Sequence, residues 1–179
     1  MSKHTLRKLL MAVALVATGG GCATHSAELS RNPPVVAATF VLIRHAEKAA
    51  DDPKDPTLSA AGRARADGIR ERLAGERVVA VYATGYRRTQ LTAAPTATAH
   101  GLSTTTYDTG LPAPEFAARL RSAHTDGTVL VVGHSNKVAA IASALCGCEI
   151  APLREDEFDR WTAVRIGEDG KASVEESRY

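Results

Sequence analysis

Cysteine is scarce in this 179-residue chain: there are 3, one near the N-terminus and two in Leu145-Cys146-Gly147-Cys148. With no second pair, ligand spacing gives no support to a structural zinc site. In an oxidising compartment the two could pair, but a bond between such near neighbours would be strained, and unpaired or loosely paired thiols at a helix end are the preferred reading. Aromatic residues make up only 4% of the sequence, and no Lys/Arg block interleaves with them. That excludes nucleic acid as a partner. No repeat or low-complexity array is present, and the apolar run Leu9 to Ala17 is too short for a permanent membrane span.

That run follows Lys3, Arg7 and Lys8 and precedes Thr18-Gly19-Gly20-Gly21-Cys22, the pattern of an export signal over residues 1–21. The small residues before Cys22 resemble the lipobox of bacterial lipoproteins. The resemblance implies lipidation of Cys22, a periplasmic or envelope-anchored protein, and membrane contact only through that anchor; plain cleavage near Ala23 or Ala27 is the alternative. Removing the signal leaves 19 basic residues facing the 20 acidic ones, so the formal charge of +2 carries no message about partners. Residues 22–37, with Ser30, Asn32, Pro33 and Pro34, read as a linker, and 38–179 as one domain.

The domain opens on Thr39-Phe40-Val41-Leu42-Ile43-Arg44-His45, an apolar run ending abruptly in charge. This is the pattern of a buried central strand that delivers Arg44 and His45 to its carboxyl end, where open α/β sheets place ligands. Val78 to Tyr82 repeats it and leads to Arg87-Arg88; Thr128 to Gly133 repeats it again and runs into His134. Ser103 to Tyr107 is a further strand. Helices are expected from Ser59, an N-cap, to Gly75, from Thr89 to His100, from Pro114, and from Asn136 to Leu145. Pro95 requires the second of these either to hold it early or to kink. Trp161 to Ile166 and Ala172 to Ser177, around Glu168-Asp169-Gly170, form a hairpin that extends the sheet edge. Strands alternating with helices predict a three-layer α/β/α sandwich with a mostly parallel central sheet.

In such a sheet the strand ends share one rim, so two imidazoles and at least two guanidiniums converge. That is an anion site, and a phosphoryl group matches the planar arginine fork best. Flanking arginines would repel a metal cation, and no cofactor is expected. His100 and His124 read as structural.

The motifs resemble those of the histidine phosphatase superfamily, the phosphoglycerate mutase-like fold. Val41-Leu42-Ile43-Arg44-His45-Ala46-Glu47 is similar to its Arg-His signature, Leu58-Ser59-Ala60-Ala61-Gly62 to its helix start, Arg88-Thr89-Gln90-Leu91-Thr92-Ala93 to its Arg-Ala-x-x-Thr-Ala segment, and Gly133-His134-Ser135 to its Gly-His segment. The resemblance implies His45 as the nucleophile that forms a phosphohistidine, with Arg44, Arg88 and His134 completing the pocket. Arg88 rather than Arg87 stands at the family's spacing from Thr92. Thr84 and Ser135 are candidate substrate ligands. For the proton donor, Asp108 is nearest by position, with Glu47 and Glu115 behind it. The implied activity is a metal-independent phosphohydrolase on a small phosphorylated substrate; a non-catalytic phosphate-binding module or a phosphomutase are the alternatives.

Overall fold

The computed structural model describes residues 36–179; the export signal, Cys22 and nearly all of the linker lie outside the described residues. Strand β1 (Val36–Arg44) begins two residues inside the expected linker. Then follow α1 (Ala60–Arg72), β2 (Val78–Thr84), α2 (Arg87–Ala99), β3 (Thr104–Tyr107), α3 (Ala113–Ala123), β4 (Gly127–Gly133), α4 (Ser135–Cys146), β5 (Arg160–Gly167) and β6 (Ala172–Arg178). No described helix is long and apolar enough to cross a membrane.

The six strands form one sheet in the order β3-β2-β4-β1-β5-β6. The first four run parallel, and β5 and β6 are antiparallel additions. Successive residues of a strand face opposite sides, and the two cores follow that alternation. Phe40, Leu42, Val129 and Val131 pack with Phe116 and Leu120 of α3 and Val138, Ile141 and Leu145 of α4. Val41, Ile43, Leu130 and Val132 pack with Ile69 of α1 and Ala93 and Ala97 of α2. Helices therefore cover both faces, giving the expected three layers, and the neighbours β1 and β4 bring Arg44 level with Gly133. The carboxyl ends of β1, β2 and β4 consequently open onto one rim.

Two expectations change. Pro95 sits past the middle of α2, on a partly exposed face, while Thr92, Ala93, Thr96 and Ala97 form the buried side. Cys146 and Cys148 are joined in a disulfide with Cα atoms 5.2 Å apart, not left as thiols. Gly147 between them adopts φ 65°, a left-handed helix end that turns the chain back and lets the two sulfurs meet.

Candidate active site

His45 leaves β1 with its backbone N–H bonded to Gly133 O at 2.9 Å, so the end of β4 fixes where it starts. Its ring is almost fully buried, and Nδ1 lies 2.8 Å from Ala46 O. A carbonyl only accepts, so Nδ1 carries the hydrogen and Nε2 keeps a free lone pair. Burial, then the charges of Arg44, His134 and Arg88, push the His45 pKa down from 6.5 to about 4. At neutral pH the imidazole is uncharged and nucleophilic. The loop behind it is held by Ala46 N–H donating to Thr92 Oγ1 at 3.0 Å, and that hydroxyl donates to Arg88 O at 2.7 Å.

His134, which caps α4, stands with its ring centroid 5.4 Å from that of His45. Burial, then Arg88 and Arg44, lower its pKa to about 4 as well. Its Nε2 lies 3.0 Å from Thr84 Oγ1, which in turn is 2.8 Å from Thr89 Oγ1. Thr89 spends its own hydrogen on the carbonyls of Tyr86 and Thr84. The hydroxyl of Thr84 must then donate to Thr89 and accept from His134 Nε2–H. Thr84 is thus a buried orienting group with no hydrogen left for substrate, which corrects its expected role.

Each arginine lies on an aromatic ring. The Arg44 guanidinium is 4.2 Å from the Phe158 centroid, and that of Arg88 is 4.3 Å from the Tyr86 centroid. Tyr86 also meets His134 edge-on at 5.2 Å. Arg88 turns inward while Arg87 is exposed, its backbone N–H donating to Asp55. The Nε atoms of Arg44 and Arg88 are buried and meet no acceptor among the described residues. The amino end of α4, uncapped by any side chain, begins at Ser135 beside the same rim. Unsatisfied guanidinium donors and a positive helix end together describe an anion site.

None of the expected acids stands ready to give up a proton. Glu47 is clamped by Arg65, whose Nη2 and Nε reach its oxygens at 2.6 and 2.9 Å, and those bonds hold its carboxyl below the usual range. It is an ionised brace, which corrects its candidacy as proton donor. Asp108 is exposed and accepts from Gly110 N–H at 2.8 Å, and none of its hydrogen bonds reaches the pocket. Glu115 pairs with Arg119 on the α3 surface. His124 is bonded to Tyr82 Oη through Nε2, a structural role.

The acid that sequence reasoning missed is Glu155, on the loop between α4 and β5. Its Oε2 lies 3.0 Å from Arg44 Nη2 and its Oε1 accepts from Ser135 Oγ at 2.5 Å. The backbone carbonyls of Arg154 and Glu155 also take Arg44 Nη1. The bond from Ser135, then the charge of Arg44, keeps the Glu155 carboxyl below its ordinary pKa. No spacing rule links this loop to β1, from which it is separated by 111 positions.

Residues 40–111 match the family model of the histidine phosphatase superfamily (branch 1). No curated protein sequence matches the chain. Among solved structures, the protein histidine phosphatase SixA complexed with tungstate is 19% identical, with a TM-score of 0.63 over 78% of this chain and 96% of that one. A mycobacterial glucosyl-3-phosphoglycerate phosphatase is 16% identical, with a TM-score of 0.61 over 80% and 98%. A phosphoserine phosphatase from Entamoeba histolytica, in complex with 3-phosphoglyceric acid, is 14% identical, with a TM-score of 0.59 over 76% and 94%. The chain therefore carries the histidine phosphatase fold, and the stretch matching that superfamily is the one that holds Arg44, His45 and Arg88.

Proposed function

We propose that this protein is a phosphohydrolase that passes a phosphoryl group through His45. The observation that carries the reading is a neutral, buried imidazole whose Nδ1 is bonded to Ala46 O, leaving Nε2 its lone pair, in a ring close enough to Arg44 and Arg88 for their charges to act on it. In the first step the Nε2 lone pair attacks phosphorus and the bond to the leaving oxygen or nitrogen breaks. Arg44 and Arg88 spread the charge of the transferring group, the His134 ring packs edge-on against that of His45, and Ala46 O steadies the positive charge that develops on the His45 ring. In the second step water attacks the phosphohistidine, the P–N bond breaks, and inorganic phosphate leaves with His45 restored. The two guanidiniums supply the positive charge, so the proposed reaction is metal-independent.

Glu47 and Glu155 are both held ionised, so the leaving group receives no proton from a neutral carboxyl in the described site. Substrates whose leaving oxygen departs as a stabilised anion, aryl phosphates above all, or whose leaving nitrogen has already taken a proton from solvent, as in phosphoramidates, are therefore favoured. The fold shared with a tungstate-bound protein histidine phosphatase supports this class. A non-catalytic phosphate-binding module is the second reading, favoured by the same ionised acids. In this proposal the export signal of residues 1–21 carries the enzyme out of the cytoplasm, and the Cys146–Cys148 disulfide supports an oxidising compartment.

The test is turnover of p-nitrophenyl phosphate by the purified protein, with acid-quenched detection of phosphohistidine. Replacing His45→Ala lowers kcat by about a thousandfold or more and abolishes the labelled intermediate. Activity that survives in His45→Ala, or that a chelator removes, overturns the mechanism. Tight phosphate binding without turnover selects the binding module instead.

A further inference from the structure

We propose that Glu155 is a specificity-determining residue: its carboxylate takes two donors of the phosphoryl pocket, Arg44 Nη2 and Ser135 Oγ, and so sets how strongly the site holds anions. The inference rests on the phosphohydrolase reading of that pocket. Side-on binding of a phosphoryl group uses the Nε and Nη2 edge of an arginine. On Arg44 that edge is split: Nε is buried without an acceptor, while Nη2 is claimed by Glu155. Ser135 stands at the first residue of α4, where the positive helix end favours an anion, and its hydroxyl too points at Glu155. The carboxylate is therefore an anion belonging to the protein, lying on donors that a substrate oxygen needs.

The Glu155 side chain remains 83% exposed, so it can swing away from Arg44 without disturbing a packed core. Arg44 would stay in place when it does. Its Nη1 is bonded to the carbonyls of Arg154 and Glu155, and its guanidinium rests on Phe158; none of these contacts uses the carboxylate. The positive groups acting on Glu155 are Arg44 and Lys48, and among the described residues no other carboxylate forms an ion pair with Arg44. An incoming phosphoryl dianion must displace the Glu155 charge or sit beside it, and either lowers affinity. Weak retention of inorganic phosphate follows, which aids product release, and multiply anionic phosphoesters are disfavoured most.

The experiment compares the full protein with Glu155→Gln and Glu155→Ala. Dissociation constants for inorganic phosphate and orthovanadate are read by calorimetry, and KM and kcat on p-nitrophenyl phosphate by steady-state assay. Gln keeps the shape and an oxygen for Ser135 while removing the charge. Both variants should bind phosphate and vanadate about two- to fivefold more tightly, the range expected of an exposed ion pair, with a matching fall in KM. Binding that is unchanged or weaker in both variants overturns the inference while leaving the phosphohydrolase reading intact. Failure of the wild-type protein and of both variants to bind either oxyanion, with no turnover of p-nitrophenyl phosphate, sinks that reading and the inference together.

Discussion

The His45 imidazole is neutral because it is buried, and that neutrality makes the fold sensitive to acid. Its folded pKa is about 4 against an ordinary 6.5, so the unfolded chain binds the proton more readily. The contribution to stability is complete above pH 6.5 and is lost as the pH falls toward 4. The shift corresponds to about 2–3 kcal/mol for this well-buried ring. Denaturant unfolding at pH 7.5 and 4.5 checks it: His45→Asn should lose less stability than the wild type over that interval by about this amount. Equal losses in both proteins would show that the ring titrates normally. Arg44, His45, Arg88 and His134 were legible in the sequence because each follows an apolar strand that ends in charge, so strand direction alone puts them on one rim. Glu155 was not legible. It reaches Arg44 through the irregular loop after Gly147, where neither periodicity nor spacing says which way a carboxylate points. Glu47, two residues from His45, misled for the opposite reason: proximity in sequence concealed a partner, Arg65, on another element.

At the scale of elements, the first turn of α1 presses directly on the loop that carries the nucleophile. Ser59 caps the helix by accepting from Gly62 N–H, and its own N–H donates to Glu47 O at 2.9 Å. Lys48 and Leu58 form a bridge beside that bond. Gly62 permits the approach: a Cβ there would lie 2.2 Å from Glu47 O, a backbone atom that cannot swing aside. Gly62→Ala should cost about 1–3 kcal/mol through overpacking and lower kcat by shifting the chain around His45. Gly68→Ala in the same helix meets nothing within 4 Å and should instead stabilise by about 0.4–1 kcal/mol. Thermal unfolding of both variants, with p-nitrophenyl phosphate assays, checks the pair; equal effects would mean the Glu47 contact does not constrain the helix. The helix itself was readable from Ser59 as its N-cap and Gly75 at its end. Its contact with Glu47 was not, because a glycine chosen for close approach looks in sequence like one chosen for a turn. The Gly147 turn shows the same ambiguity, since a left-handed helix end and a disulfide geometry share one glycine.

Across the whole molecule, the antiparallel hairpin does more than widen the sheet, because it carries the last residue back to the active-site loops. Tyr179 N–H donates to Asp159 O, and its hydroxyl donates to Phe158 O at 3.1 Å. Its ring meets Trp161 edge-on at 5.6 Å, and Arg65, the partner of Glu47, lies over it at 5.7 Å. Tyr179 therefore touches both sides of the site: the Phe158 loop that shelves Arg44, and the Arg65–Glu47 pair that braces the chain after His45. The hairpin was legible from its turn, but this closure depends on sheet order, which local sequence does not encode. Tyr179→Phe retains the packing and removes one hydrogen bond to a backbone carbonyl, a loss of about 1 kcal/mol. Tyr179→Ala removes the packing as well and should cost about 3 kcal/mol or more. If the link to Phe158 positions Arg44, Tyr179→Phe also raises KM for p-nitrophenyl phosphate, since the guanidinium loses part of its support while His45 is untouched. Urea unfolding and steady-state kinetics on the two variants separate the effects. A Tyr179→Phe variant with lowered stability and an unchanged KM would confine the C-terminal residue to holding the sheet edge.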